Sequence, residues 1–213
     1  MARGHDPSRY NICNVFDFEG ALDVGKLRQA IVQTDRENDA LTLRFAVRNG
    51  ELQQHFAPTN RPIEFEVIDL QFEDDPERIA HQKVAQFRER VFDLESGENC
   101  RHQVLRLGEN RYWWARVYHH IVCDGYGGHL MAERNAAIYN ALKNDETIPD
   151  CSFKSYRTFI ETDNAYPQTI AYARGVAYWR ERLTPDRSPT GVTTLPINAP
   201  QKDAQVVIPV STE

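Results

Sequence analysis

An α/β fold is expected for this 213-residue chain, and three features of the sequence point to it. Segments with helical and with strand periodicity alternate along the chain; two short Gly-containing turns join pairs of strand-like runs; and one run rich in aromatic and β-branched residues, 112–118, leads through a tight loop into a helix.

Taken in order, Asp23 reads as the N-cap of a helix through about Thr34, with Leu27, Ala30 and Ile31 on its inner face. Strands over 41–47 and 51–56 flank Arg48-Asn49-Gly50, whose Asn-Gly pair is a strong hairpin signal. Another strand is expected over 63–69. Asp75-Pro76-Glu77 then starts a helix that runs to about Val91, with Ile79, Val84 and Phe87 as core candidates. Strands 101–107 and 111–119 are joined by Gly108-Glu109-Asn110 as a second hairpin. Gly125 supplies a permissive turn before a helix over 126–142, which carries Leu130, Met131, Ala137, Ile138 and Leu142. Two more helices are expected over 153–163 and 168–183. Their aromatic residues, Tyr156, Phe159, Tyr172, Tyr178 and Trp179, fall at roughly helical spacing and read as packing rather than as a ligand box. From Thr184 the prolines and Gly191 break regular structure, and Val206-Val207-Ile208 reads as a short strand with nothing after it to pair locally.

Composition narrows the classes. A 41% hydrophobic content is enough to bury a core, while a net charge of -6 with scattered Lys and Arg gives no electrostatic case for nucleic acid. No apolar run approaches the ~18 residues needed to span a bilayer, and the N-terminus lacks the apolar core of a signal peptide. The four cysteines, at 13, 100, 123 and 151, show no CxxC pairing, so the expectation is a cytoplasmic protein with reduced thiols, no membrane contact and no nucleic-acid partner.

The chemistry concentrates in His119-His120-Ile121-Val122-Cys123-Asp124-Gly125, an imidazole pair and a carboxylate on a strand-to-helix connection. Neighbouring strand residues point to opposite faces, so if the strand persists through the pair, the two histidines cannot aim at one target. One is then structural and the other free to work. For the same reason a metal site is disfavoured, with no further His or Cys at ligand spacing. Cys123 reads as a small buried hydrophobe rather than a nucleophile. Two readings remain: His120 as a general base or hydrogen-bonding catalyst with Asp124 holding the loop, since an imidazole titrates near neutrality, and both histidines as satisfied core residues.

This string resembles the HHxxxDG signature of the condensation domain of non-ribosomal peptide synthetases, with His119, His120, Asp124 and Gly125 at its fixed positions. Four further segments fall in that family's order: Tyr10-Asn11-Ile12 with Glu19-Gly20-Ala21-Leu22-Asp23, then 39–45, Phe92-Asp93-Leu94-Glu95-Ser96-Gly97, and Tyr178-Trp179-Arg180-Glu181-Arg182-Leu183. Two departures stand out. Thr42 occupies the place of an arginine that pairs with the motif's aspartate, and Arg44, on the same face of the expected strand, is the first substitute, with Arg116 the second. Gly127 stands where a serine is often found.

The resemblance implies a chloramphenicol-acetyltransferase-like two-layer sandwich, with a mixed, largely antiparallel sheet and helices packed on it. It implies His120 as the catalytic residue, with His119, Asp124, Gly125 and Arg44 structural around it, and no metal or cofactor held by the domain itself. The reaction implied is condensation between two substrates carried as thioesters on phosphopantetheine arms, with donor and acceptor carrier-protein domains as partners and an adenylation domain as neighbour. By length, residues 1–184 correspond to the N-terminal subdomain with its first strand region truncated, and 185–213 to a linker and strand leading to an absent C-terminal subdomain. Such a half-domain is expected to be inactive alone. The alternatives are a stand-alone coenzyme A-dependent acyltransferase, whose HxxxD pattern His120 to Asp124 also satisfies, and a non-catalytic domain of the same fold that recruits partner proteins, in which the motif is usually damaged.

Overall fold

A computed structural model describes residues 6–56 and 63–183, which divide between two compact units, one through Phe153 and one from Lys154. The first unit is built on a four-stranded mixed sheet. Its strands are β1 (Asn11–Glu19), β4 (Glu64–Asp69), β5 (Cys100–Gly108) and β6 (Arg111–His119), in the order β1-β6-β5-β4. β1 and β5 both run antiparallel to β6, while β4 joins β5 in parallel, with Glu64 opposite Arg101. A separate two-stranded sheet pairs β2 (Leu43–Arg48) with β3 (Glu51–Phe56). The expected Asn-Gly turn joins them, with Asn49 at φ 55° and Gly50 at φ 82°, the left-handed pair that suits a two-residue hairpin.

Helices α1 (Val24–Glu37) and α3 (Gly125–Lys143) pack with one face of the sheet, and α2 (Pro76–Glu89) covers the other, so the sandwich of helix and sheet layers has helices on both sides. Both starts read from sequence are real caps: Asp23 Oδ1 accepts from Lys26 N at 2.9 Å, and Asp75 Oδ1 from Arg78 N at 3.1 Å. Leu27 and Ile31 of α1 pack with Val104, Tyr112 and Trp114 on one face; Ala80 packs with Leu105, Leu107 and Trp113 on the other. This two-sided cover explains why Tyr112, Trp113 and Trp114 of β6 are apolar in succession rather than alternating with polar residues. Each fully buried Leu or Ile contributes about 1.5–3 kcal/mol.

The second unit holds α4 (Tyr156–Ala165) and α5 (Ile170–Arg182), capped by Ser155 and Thr169. Here the aromatic residues read as packing pack on one another. Phe159, Tyr172, Tyr178 and Trp179 are all exposed, and the rings meet one another instead: Tyr156 stacks on Phe159, and Tyr178 meets Trp179 edge-on. Among the described residues of this unit, two short helices offer no layer to bury them. Tyr166, Tyr172, Val176, Trp179 and Leu183 line a cleft of about 500 Å³ that contains none of the site residues read from sequence. The segment from Thr184 and the strand at 206–208 lie outside the described residues.

Candidate active site

The site is the connection from β6 to α3. β6 ends at His119, and His120, Ile121 and Val122 form a turn. His119 points to the α2 side, where its ring lies 5.9 Å from that of Tyr10 and meets Phe92 edge-on at 6.3 Å. Its Nδ1 accepts from Ile121 N at 3.1 Å, which places the proton of the neutral ring on Nε2. Burial, then the neighbouring His120, lowers the pKa of His119 from 6.5, so the half-buried ring is held neutral.

His120 is exposed, and its backbone N–H donates to Tyr10 O at 2.8 Å. The separation of the two histidines expected from strand alternation is therefore reached by another route: the strand stops, and the turn carries the second ring outward.

Asp124 begins α3. Its Oδ1 accepts from Gly127 N at 2.7 Å as the N-cap, and its backbone oxygen accepts from Tyr118 Oη at 3.2 Å and from Gly128 N at 2.9 Å. The expected ion pair with an arginine is not formed; among the described residues no Arg or Lys nitrogen lies within 4 Å of its carboxylate. Arg44 packs over Gly97 instead, its Cγ 3.2 Å from where a Cβ on that glycine would sit. The strand begins only at Leu43 while Thr42 belongs to a 3-10 turn, so the face shared by positions 42 and 44 on paper does not exist.

Arg116, the second candidate, is 1% exposed and donates through Nη2 to Gly128 O at 2.7 Å and Asn14 Oδ1 at 3.2 Å. The rings of Phe16, Trp114 and Tyr118 surround its guanidinium at 5.4–5.7 Å. Gly125 has no positive φ, and a Cβ there would meet nothing within 4 Å, so no turn geometry demands glycine; the position opens outward.

Cys123 is buried beside Met131, and burial pushes its thiol up to about 11, which leaves it protonated and unreactive. A group that sequence spacing missed lies elsewhere: Asp35, Cys100 and His102 offer ligand-type atoms within 4.8 Å of one another. Cys100 and His102 share a face of β5 two residues apart, but Asp35 arrives from α1, and only tertiary packing unites them. His102 Nδ1 accepts from Trp114 Nε1 at 3.3 Å, so Nε2 carries the proton and donates to Asp35 Oδ2 at 3.0 Å. A metal-bound His normally donates its second N–H outward, and the donor-only indole blocks that arrangement. The trio is a buried hydrogen-bond network.

The chain matches the condensation domain family model over residues 3–207. It belongs to the condensation domain family. Enterobactin synthase component F of Escherichia coli (strain K12) is 25% identical over 202 residues, covering 94% of this chain and 16% of that protein. A dimodular nonribosomal peptide synthase of Bacillus subtilis (strain 168) is 27% identical over 185 residues, covering 86% and 8% respectively. A point variant of the starter condensation domain of rhizomide synthetase superposes with TM-score 0.79 at 28% identity, covering 86% of this chain and 44% of that one. The first condensation domain of the calcium-dependent antibiotic synthetase, in complex with a substrate analogue, superposes with TM-score 0.76 at 27% identity and the same coverage. The chain thus spans less than half the length of the solved condensation domains and a small fraction of the curated synthetases. The mixed α/β architecture is that of condensation domains, a family that acts on phosphopantetheine-tethered substrates together with carrier domains.

Proposed function

We propose that this chain carries the working histidine of a condensation reaction in which an amine acceptor displaces a carrier-bound thioester donor. The observation that carries the reading is the division of labour within the histidine pair. His119 is neutral and tied to Ile121, whereas the His120 ring projects from a turn whose backbone is fixed to Tyr10. The acceptor nitrogen attacks the thioester carbonyl, the C–N bond forms, and the C–S bond breaks as the tetrahedral intermediate collapses. His120 holds the amine through its imidazole, takes the proton that the amine sheds and returns it to the departing thiolate. Asp124 caps α3 and fixes the far end of the loop; Gly125 leaves the space beside it clear for the substrate backbone.

Donor and acceptor carrier-protein domains are the proposed partners, together with the remaining subdomain of a whole condensation domain and a neighbouring adenylation domain. A coenzyme A-linked donor is the second reading. The rhizomide starter domain has been solved in complex with C8-CoA, and coenzyme A ends in the same phosphopantetheine arm.

The test is dipeptide formation by the enclosing synthetase. His120→Ala should abolish product while circular dichroism stays unchanged, and near-normal product would remove the assignment. The 213-residue chain alone, given both aminoacyl carrier proteins, should make no dipeptide. Proximity and water exclusion supply much of the rate in a two-substrate reaction, and the chain spans under half of the solved domains.

A further inference from the structure

Gly128 is the point at which three restraints on the His120 loop converge. Its N–H donates to Asp124 O at 2.9 Å, and its carbonyl accepts from the buried Arg116 guanidinium at 2.7 Å. Its α-carbon leaves no room for a side chain: a Cβ would overlap the Tyr118 hydroxyl, with Tyr118 Cζ at 3.2 Å and Arg116 Nη2 at 3.4 Å as the next atoms. Tyr118 is 1% exposed, so a Cβ at this position forces either its ring or the helix to shift, and the same hydroxyl donates to Asp124 O at 3.2 Å.

We propose that Tyr118 and Gly128, with Arg116 beneath them, form a strand-to-helix lock that positions His120, by holding the first turn of α3 against β6 closely enough for the Tyr118 hydroxyl to bond Asp124 O.

The segment from His120 to Asp124 is only five residues long and is tied at both ends. At the strand end His120 N bonds Tyr10 O, Val122 N bonds His119 O, and Ile121 N bonds His119 Nδ1. At the helix end the ties are Tyr118 Oη to Asp124 O and the Asp124 cap. Raising the helix start by the width of a methyl group breaks the Tyr118 tie, while the Asp124 cap, internal to α3, moves with the helix and the strand-end ties stay in place, so the loop must re-aim the one ring that projects from it. Arg116 adds a reason for the close approach. A cation under a helix N-terminus opposes the helix dipole and is kept there by the Gly128 carbonyl, the Asn14 amide oxygen and three aromatic faces. None of these residues touches the reacting atoms; all are positioning residues.

The inference rests on His120 being the working histidine, but its test does not use activity, so the two fail separately. In the chain labelled at histidine, the imidazole resonances and titration midpoint of His120 are followed by NMR for wild type, Gly128→Ala, Tyr118→Phe and the double variant, with His55 and His81 as internal controls. Gly128→Ala should displace the His120 signals and leave the controls in place. In the Tyr118→Phe background, where the clashing oxygen is gone, the displacement caused by Gly128→Ala should be at least halved. No displacement, or an equal one in both backgrounds, overturns the lock. Should Gly128→Ala alone fail to fold, folding restored by Tyr118→Phe supports the lock, and failure in both backgrounds overturns it.

Discussion

Ile121 N donates to His119 Nδ1 at 3.1 Å, a bond that exists only while the ring is unprotonated at that nitrogen. Burial lowers the pKa of His119 in the folded protein below its ordinary 6.5. A His that is harder to protonate folded than unfolded contributes stability that is complete above pH 6.5. That contribution is lost as pH falls toward the lowered folded value, because the unfolded chain takes up the proton first. Melting temperature measured from pH 7.5 to 5 should drop more steeply for wild type than for His119→Gln. Parallel curves would show that His119 is not held neutral.

Asp124 acts as a helix cap, and the size of its effect follows from that. An ion pair broken in a buried site costs about 3–5 kcal/mol, whereas loss of an N-cap costs ~1 kcal/mol. Asp124→Ala should therefore lower stability to denaturant by about 1 kcal/mol, and Asp124→Ser, which can still accept from Gly127 N, should recover most of it. A loss of the larger size, not recovered by serine, would restore the ion-pair reading.

Local chemistry was legible. Caps at Asp23 and Asp75, the Asn49-Gly50 turn, the β5–β6 hairpin and the helix after Asp124 all arise from neighbours in sequence, and all appear where periodicity and turn residues place them. What failed was whatever depended on where a strand starts or what packs across layers. Counting in twos puts Arg44 on the face of Thr42, but Thr42 lies outside the strand. The meeting of Asp35 with His102 spans 67 residues and has no local signature. Gly128 carries no motif of its own; its importance appears only with Tyr118 beneath it. Of the site, the histidine pair is visible in the sequence and Arg116 only as a partner for Asp124, whereas the roles of Tyr118 and Gly128 under α3 are not.

Arg134 of α3 grips the last residue of α1. Its Nε and Nη2 donate to the two carboxylate oxygens of Glu37 at 2.7 and 2.8 Å, and Nη1 donates to Pro149 O at 2.7 Å. The Arg134 guanidinium pulls the Glu37 carboxyl from 4.5 down to about 2. A depressed carboxyl contributes stability that is complete above pH 4.5 and lost as pH falls toward about 2. Both side chains are largely buried, so Arg134→Ala should cost roughly 3 kcal/mol. Arg134→Lys should recover only part, since a single ammonium cannot make the two parallel bonds. Urea unfolding at pH 7 and pH 3 checks both statements: the loss should shrink at pH 3, and an equal loss at both values would mean that the pair contributes through packing alone.

The cysteines should divide sharply by reactivity. Burial pushes the Cys123 thiol up to about 11, while burial and then the nearby Asp35 raise Cys100 well above its usual value, so at pH 8 neither offers appreciable thiolate. Cys151 is exposed on the segment after α3, open to reagent. Alkylation with iodoacetamide at pH 8, followed by peptide mass mapping, should label Cys151 within minutes and leave Cys100 and Cys123 unmodified until urea unfolds the chain. His120 lies three residues from Cys123, and an imidazole that activated this thiol would make it the fastest of the four. Rapid labelling of Cys123 in the folded protein would therefore reopen the Cys-His nucleophile reading. Its protection, with Cys151 labelled in the same sample, would remove Cys123 as a nucleophile and leave the His120 reading standing.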